Sequence, residues 1–262
     1  MSGVPNLCII MPAYNEEKRI GKTIDSFSSY FENLRRSGVL EYKILIVINK
    51  STDSTESIVK QYQKKNANIS YLNLPRKGKG YAVIEGFKYA LKEKSDLIGF
   101  VDADLATPPE SFYFLIRNMK SLDGTIASRY IKGSVVRPKQ LKRRIIASRM
   151  FNAVIRAMLV MPYRDTQCGA KLFRREVVKS ILPSLAFSQY AFDVDILYNA
   201  RKKGFIIKEV PTTWSHKGNE KINFLKAGPF MVLSILRLRL LNSPLKVFIR
   251  AYDNLIGFIP RG

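Results

Sequence analysis

The chain has 262 residues, 46% of them hydrophobic, and a formal net charge of +23. The apolar fraction is enough for a buried core, which excludes a disordered chain, and the length suits one α/β unit with an appendage. So large a positive charge calls for an anionic partner: nucleic acid, phospholipid headgroups or a phosphorylated substrate. Cys8 and Cys168 are the two cysteines. They form no CxxC pair, which excludes a disulfide framework and favours a reducing, cytoplasmic setting. The chain opens on Met-Ser-Gly-Val-Pro-Asn and runs straight into a strand pattern, so no signal peptide is expected.

In chain order, residues 7–11 read as a strand and 16–35 as a helix. Between them, Pro12-Ala13-Tyr14-Asn15-Glu16-Glu17 makes a turn, with Asn15 as a candidate N-cap. There Tyr14 offers a ring to a flat base, and Glu16 an acceptor for its amine donors or the ribose. Residues 42–48 read as a strand, 54–66 as a helix and 69–74 as a strand. The turn Arg76-Lys77-Gly78-Lys79-Gly80 follows, basic and glycine-rich and therefore suited to diphosphate charge. It is neither a Walker A motif nor a GxGxxG fingerprint, which sets aside NTPase and dinucleotide readings. A helix at 79–93, a strand at 97–101 and a helix at 110–119 complete four βα units. That alternation predicts a mostly parallel sheet with helices on both faces. Beyond it come a short strand at 125–128, an amphipathic helix at 139–160, a helix at 191–203 and a strand at 205–210.

The strand at 97–101 delivers Asp102 and Asp104 at its carboxyl end, where open α/β sheets place their ligands. Pro108 and Pro109 fix the first turn of the next helix. Capping that helix accounts for one acid and not for two. Two carboxylates there can converge on a hard divalent cation, whose remaining positions are filled by substrate phosphate oxygens. Asp165 is a further candidate, through sugar hydroxyls. Cys168 reads as a small buried thiol, and the sole histidine, His216, excludes a multi-histidine metal site.

Residues 124–164 contain no acid, nor do residues 221–252. Both stretches interleave basic and apolar residues at helical spacing, which describes an interfacial helix better than a nucleic-acid tail. No stretch reaches the ~20 apolar residues needed to cross a bilayer. The expected division is a catalytic domain over residues 1–221, including the helix at 139–160, and an amphipathic membrane-associating tail over residues 222–262.

Taken in order, Pro12-Ala13-Tyr14-Asn15-Glu16, Ser51-Thr52-Asp53-Ser54-Thr55, Arg76-Lys77-Gly78-Lys79-Gly80 and Asp102-Ala103-Asp104 resemble the family 2 inverting glycosyltransferases. Two later segments, 165–173 and 191–195, look like the polyprenol-phosphate hexosyltransferase group, the glucosyl-transferring dolichyl-phosphate enzymes first and the mannosyl-transferring ones second. The resemblance implies a GT-A fold and a nucleoside diphosphate sugar bound with Mg²⁺ or Mn²⁺. It implies that Pro12, Tyr14 and Glu16 hold the nucleoside, and that Asp102 and Asp104 surround the metal and diphosphate. Lys79 and Gln167 fall in its substrate-binding motifs. Arg129 would meet the acceptor phosphate with Arg143 or Arg144, and Lys221 would reach over the diphosphate. The family commonly has an acid where this chain has Asn49, which bears on the choice of base. The reaction so implied is inverting transfer of a hexose, UDP-glucose being the first donor and GDP-mannose the alternative. The acceptor is dolichyl or polyprenyl phosphate, at the cytoplasmic face of a membrane whose anionic surface holds the protein peripherally. A nucleic-acid-binding module explains the charge and not the ordered strand-end motifs, so no nucleic acid is expected. A nucleotidyltransferase would carry its glycine-rich basic turn after the first strand and not the third.

Overall fold

The computed structural model describes residues 4–138, 142–185, 191–215, 224–241, 243, 247–249 and 252, with the side chains of 142–147 and 224–231 outside that description. The first half alternates β1 (Asn6–Ala13), α1 (Ile20–Arg36), β2 (Glu41–Asn49), α2 (Thr55–Lys65), β3 (Ile69–Leu74), α3 (Lys79–Lys92), β4 (Leu97–Phe100) and α4 (Pro109–Arg117). The second half holds β5 (Gly124–Ser128), β6 (Val135–Arg137), α5 (Lys142–Leu159), β7 (Lys171–Arg174), α6 (Arg175–Ile181), α7 (Phe192–Lys202), β8 (Ile207–Pro211), β9 (Thr213–Ser215) and α8 (Phe224–Leu241).

Seven strands form one sheet in the order β3-β2-β1-β4-β7-β5-β8, and β6 pairs with β9 in a small second sheet. Every pairing in the large sheet is parallel except those of β7, which runs antiparallel to β4 and β5. The strand order reverses between β1 and β4, a switch point at which open α/β sheets leave a crevice beyond their carboxyl ends.

Strand periodicity splits the core in two. From β1, Leu7, Ile9, Met11 and Ala13 pack on one face, where Phe27, Phe31 and Phe112 meet edge to face or stacked. Cys8 and Ile10 point to the other face, with Phe87, Phe100 and Phe173. Successive side chains alternate across a strand, so both faces need cover, and near-continuous apolar runs follow. Each fully buried aromatic or aliphatic side chain contributes roughly 1.5–3 kcal/mol.

The expected elements are all present, with shifted ends. The first helix starts at Ile20 and not at residue 16, because Asn15 adopts a left-handed conformation (φ 52°) that ends β1 in a tight turn. Asn15 is therefore no N-cap. The strand β7 was not foreseen. It is four residues long, carries Lys171 and Arg174, and shows no apolar alternation. Of the helix expected at 139–160, residues 142–159 are helical and 139–141 lie outside the described residues. The described part of the tail, α8, buries Ile235 and Leu238 in the core cluster that also holds Ile155 and Leu159 of α5.

Candidate active site

The crevice at the switch point is built from three strand ends. From β1 come Tyr14, Asn15 and Glu16. The turn after β2 is locked to them: the Asn15 backbone N–H donates to Ser51 Oγ, the Thr52 N–H to Asn15 Oδ1, and the Glu16 N–H to Thr55 Oγ1. Asn49 is buried and bridges two segments, its Nδ2 donating to the Ala13 carbonyl at 2.9 Å and its Oδ1 accepting from the Gly78 N–H at 3.4 Å. Pro12 lies within β1, paired with Val47. The basic turn thereby sits beside Tyr14, whose ring lies 4.6 Å from Lys77 Nζ and whose hydroxyl accepts from it at 2.6 Å. Gly78 has φ 138°, a conformation open mainly to glycine, and it starts α3 at Lys79.

Asp102 and Asp104 follow β4. Lys79 is paired with Asp102. Arg19 Nη1 stands 4.0 Å from Asp104 Oδ2 and is itself held by Glu16 at 2.5 Å. Asp104 Oδ1 accepts the Ala106 N–H at 2.9 Å, and Leu105 between them is left-handed at φ 59°. Neither acid caps α4, which begins at Pro109 with Pro108 as its N-cap. Burial raises the Asp104 carboxyl above the usual range, and the Asp102 charge raises it further, against the Ala106 N–H, Arg19 and Lys79. Burial alone would lower the Lys79 ammonium, but Asp102, Asp193 and Asp104 outweigh it, so Lys79 is pushed above its ordinary value and stays charged. Among the described residues no cluster of three or more His, Cys, Asp or Glu is present. Two hard carboxylates thus fit a hard divalent cation that takes the rest of its shell from substrate oxygens and water.

Behind the acids lies the segment 165–171. At Gly169 an added methyl would overlap the Asp102 carboxylate. Lys171 is fully buried, donates to the Cys168 carbonyl at 2.7 Å, pairs with Asp193 at 2.5 Å and lies 5.3 Å from the Phe100 ring centre. One ammonium therefore joins the wall behind Asp102 to the start of α7. Burial pushes the Cys168 thiol up to about 12, so it is an inert thiol. Gln167 is half-buried in the same loop.

Asp165 was expected to meet sugar hydroxyls. It is instead fully buried, with Oδ2 accepting from the Arg129 N–H and Nε at 2.9 and 2.8 Å, and Oδ1 from Nη2 at 2.9 Å. Its carboxylate reaches the site only through Arg129, whose guanidinium also lies near the rings of Tyr130 and Trp214, at 5.3 and 5.4 Å. Burial opposes the Arg129 charge and Asp165 outweighs it, raising the group above its ordinary value. Only Nη1 of this arginine has no partner among the described residues. Arg143 and Arg144 lie in the first turn of α5 with their side chains outside the described residues, and Lys221 lies outside them altogether.

Residues 8–182 match the model of the glycosyl transferase family 2. The chain belongs to that family. The glycosyltransferase is 34% identical over 221 residues to a dolichyl-phosphate beta-glucosyltransferase of Trichomonas vaginalis, covering 82% of this chain and 68% of that one. It is 32% identical to the dolichyl-phosphate beta-glucosyltransferase of Dictyostelium discoideum (89% and 73% covered) and 30% identical to the one of Homo sapiens (84% and 71% covered). These relatives place it in the polyprenol-phosphate hexosyltransferase group of the family. Its backbone is similar to that of glucosyl-3-phosphoglycerate synthase from Mycobacterium tuberculosis, crystallised with Mn²⁺, UDP and glucosyl-3-phosphoglycerate. The TM-score is 0.64 at 18% identity, covering 90% of this chain and 79% of that one. That likeness shows the fold, GT-A.

Four residues of the crevice escaped the sequence reading of roles: Arg19, Gly169, Lys171 and the pairing of Asp193. Arg19 carried a usable signal. A cation at a helix N-terminus opposes the helix dipole and needs a local acid, here Glu16. A lysine inside the apolar run Ala170-Lys171-Leu172-Phe173 was the signal for the buried pair. Gly169 carried none, since its neighbour Asp102 is remote in sequence.

Proposed function

We propose that the protein transfers glucose from UDP-glucose to dolichyl or another polyprenyl phosphate, with Mg²⁺ or Mn²⁺ held by Asp102 and Asp104. The carrying observation is the convergence at the β1/β4 switch of that acid pair, the charged Lys79 and the Tyr14–Lys77 pair. The named activity of the relatives supports the acceptor and the sugar, and the Mn²⁺ and UDP bound by the structural neighbour support the metal and the base. In this reading Pro12, Tyr14, Glu16 and Asn49 hold the nucleoside. Lys79 neutralises diphosphate oxygens, and Lys221 and Gln167 complete the donor site. When bound, the cation supplies further positive charge against the diphosphate. Arg129 offers Nη1 to the acceptor phosphate with Arg143 or Arg144 beside it.

The chemistry asks little of the protein beyond charge and position. A lipid phosphate is ionised at neutral pH, so its oxygen attacks the sugar C1 without a strong general base. Lys79 offsets the negative charge that develops on the leaving diphosphate. Arginines at the acceptor offset repulsion between two anions and set the line of attack. A single displacement inverts C1, so an α-linked donor gives a β-linked lipid sugar. Residues 1–221 carry this catalysis, and the tail from residue 222 joins α5 in a surface that works peripherally at the cytoplasmic face of a membrane. No helix among the described residues is long and apolar enough to cross one.

The test is an acceptor comparison with UDP-glucose and Mn²⁺. Polyprenyl phosphate in detergent is expected to become glucosylated at least ten times faster than 3-phosphoglycerate. Glucosylation of 3-phosphoglycerate alone would overturn the lipid-phosphate reading and leave the donor site standing.

A further inference from the structure

Two polar side chains on α5 face the core, among buried residues that are otherwise apolar. Ser148 and Asn152 stand one turn apart, and Phe151 and Ile155 are buried beside them. Asn152 is only 2% exposed. A buried amide costs free energy unless its polar atoms are bonded, so an asparagine here needs defined partners. Its Oδ1 accepts twice from the fully buried Thr166, from the backbone N–H at 3.0 Å and from Oγ1 at 2.9 Å. Its Nδ2 donates to the Ser148 carbonyl at 3.0 Å, and Ser148 Oγ accepts from the Tyr130 hydroxyl at 2.8 Å.

The residues so held are the chain neighbours of one ion pair. Thr166 follows Asp165 and Tyr130 follows Arg129, so α5 grips the Arg129–Asp165 pair through both segments that carry it. Glu209 of β8 holds the acid from a third side, its Oε1 accepting the Asp165 N–H at 2.9 Å. Satisfying one buried backbone N–H accounts for one of these bonds. It leaves unexplained why the amide also takes the Thr166 hydroxyl, and why a second α5 residue is tied beside the other partner of the pair.

Arg129 gives Nε and Nη2 to Asp165, which leaves Nη1 for an anion. With two nitrogens of a planar fork fixed on one carboxylate, the direction of Nη1 follows the position of that carboxylate. A misplacement of about 1 Å in such a group costs on the order of a hundredfold in rate.

We propose that Asn152 is a positioning residue for the acceptor phosphate: through Thr166 it fixes the Asp165 carboxylate, and thereby where Arg129 Nη1 points. It touches neither substrate. This role rests on the acceptor reading of Arg129 given above and adds the side chain that sets its geometry.

The experiment compares Asn152→Ala, Thr166→Val and Thr166→Ser in the whole protein, each checked for folding by circular dichroism. The valine variant is nearly isosteric and loses only the hydroxyl, whereas the serine variant keeps it. One readout is the Arg129 Nε–H resonance in a ¹H–¹⁵N spectrum, assigned by its loss in Arg129→Lys. The other is the kinetics with UDP-glucose, Mn²⁺ and polyprenyl phosphate in detergent, beside the dissociation constant for UDP. Asn152→Ala and Thr166→Val should shift the resonance and lower kcat/KM for polyprenyl phosphate at least about tenfold, while the UDP constant changes less than about twofold. Thr166→Ser should return both readouts to wild type. An unmoved resonance in both folded variants would overturn the positioning role. So would a shift without the kinetic loss, or a loss matched by an equal loss of UDP affinity, which marks a general structural residue. If the wild-type protein glucosylates no polyprenyl phosphate, the proposed function falls, and the resonance alone decides whether Asn152 holds Arg129.

Discussion

Arg129 and Asp165 meet through two N–H···O contacts, and Asp165 takes the Arg129 backbone N–H as well. Removing one partner of a buried pair leaves an uncompensated charge, at about 3–5 kcal/mol. Arg129→Ala is therefore expected to lower the free energy of unfolding, measured in urea, by that amount while the dissociation constant for UDP changes less than about twofold, since no donor-side residue touches it. Arg129→Lys keeps the charge without the fork and should fall between. Unchanged stability in the alanine variant would contradict the pairing. Gly169 makes the complementary case. Its backbone has no conformation closed to alanine, so only the Asp102 carboxylate resists a methyl there. Gly169→Ala should reduce transfer at least tenfold, about 1.4 kcal/mol of barrier, with little change in unfolding midpoint. Wild-type transfer by this variant would show that the wall behind Asp102 does not set its position.

Among the elements, β7 shows where sequence patterns stop being sufficient. Strands β1 to β4 and their helices were legible because apolar runs, glycine turns and prolines mark them, and β3 was expected at its observed bounds. Four residues with two cations do not announce a central strand. What makes β7 one is a tertiary partner: Asp193, on α7, neutralises Lys171 in the core. The site followed the same rule. Asp102, Asp104, Tyr14, Glu16 and Lys79 sit at strand or helix ends that periodicity locates, and they converge. Asp165 was misread because its partner Arg129 is 36 residues away, and no local pattern reveals such a pair. A double-mutant cycle tests the β7–α7 link. Lys171→Met alone should lose about 3–5 kcal/mol by stranding Asp193, and adding Asp193→Leu should restore at least half of that. A double variant no more stable than the single one would show that the pair does not hold these elements together.

Over the whole molecule, anion-handling features gather at the carboxyl edge of the sheet and on α5, whereas the core is apolar on both sheet faces. The switch between β1 and β4 lies next to the acid pair, and the acid-free segment 124–164 adds positive charge to the chain. Lys79 and Arg19 thus flank the acid pair. These cations are part of the net charge of +23. The measurement that bears most directly on this account is a donor panel on the purified protein. UDP-glucose, GDP-mannose and UDP-N-acetylglucosamine are each supplied with polyprenyl phosphate and Mn²⁺, and lipid-linked sugar is quantified with Asp104→Ala as the blank. The account predicts transfer from UDP-glucose, at least tenfold above either other donor, and none in the blank. Transfer from GDP-mannose alone, or equal transfer by Asp104→Ala, would contradict it.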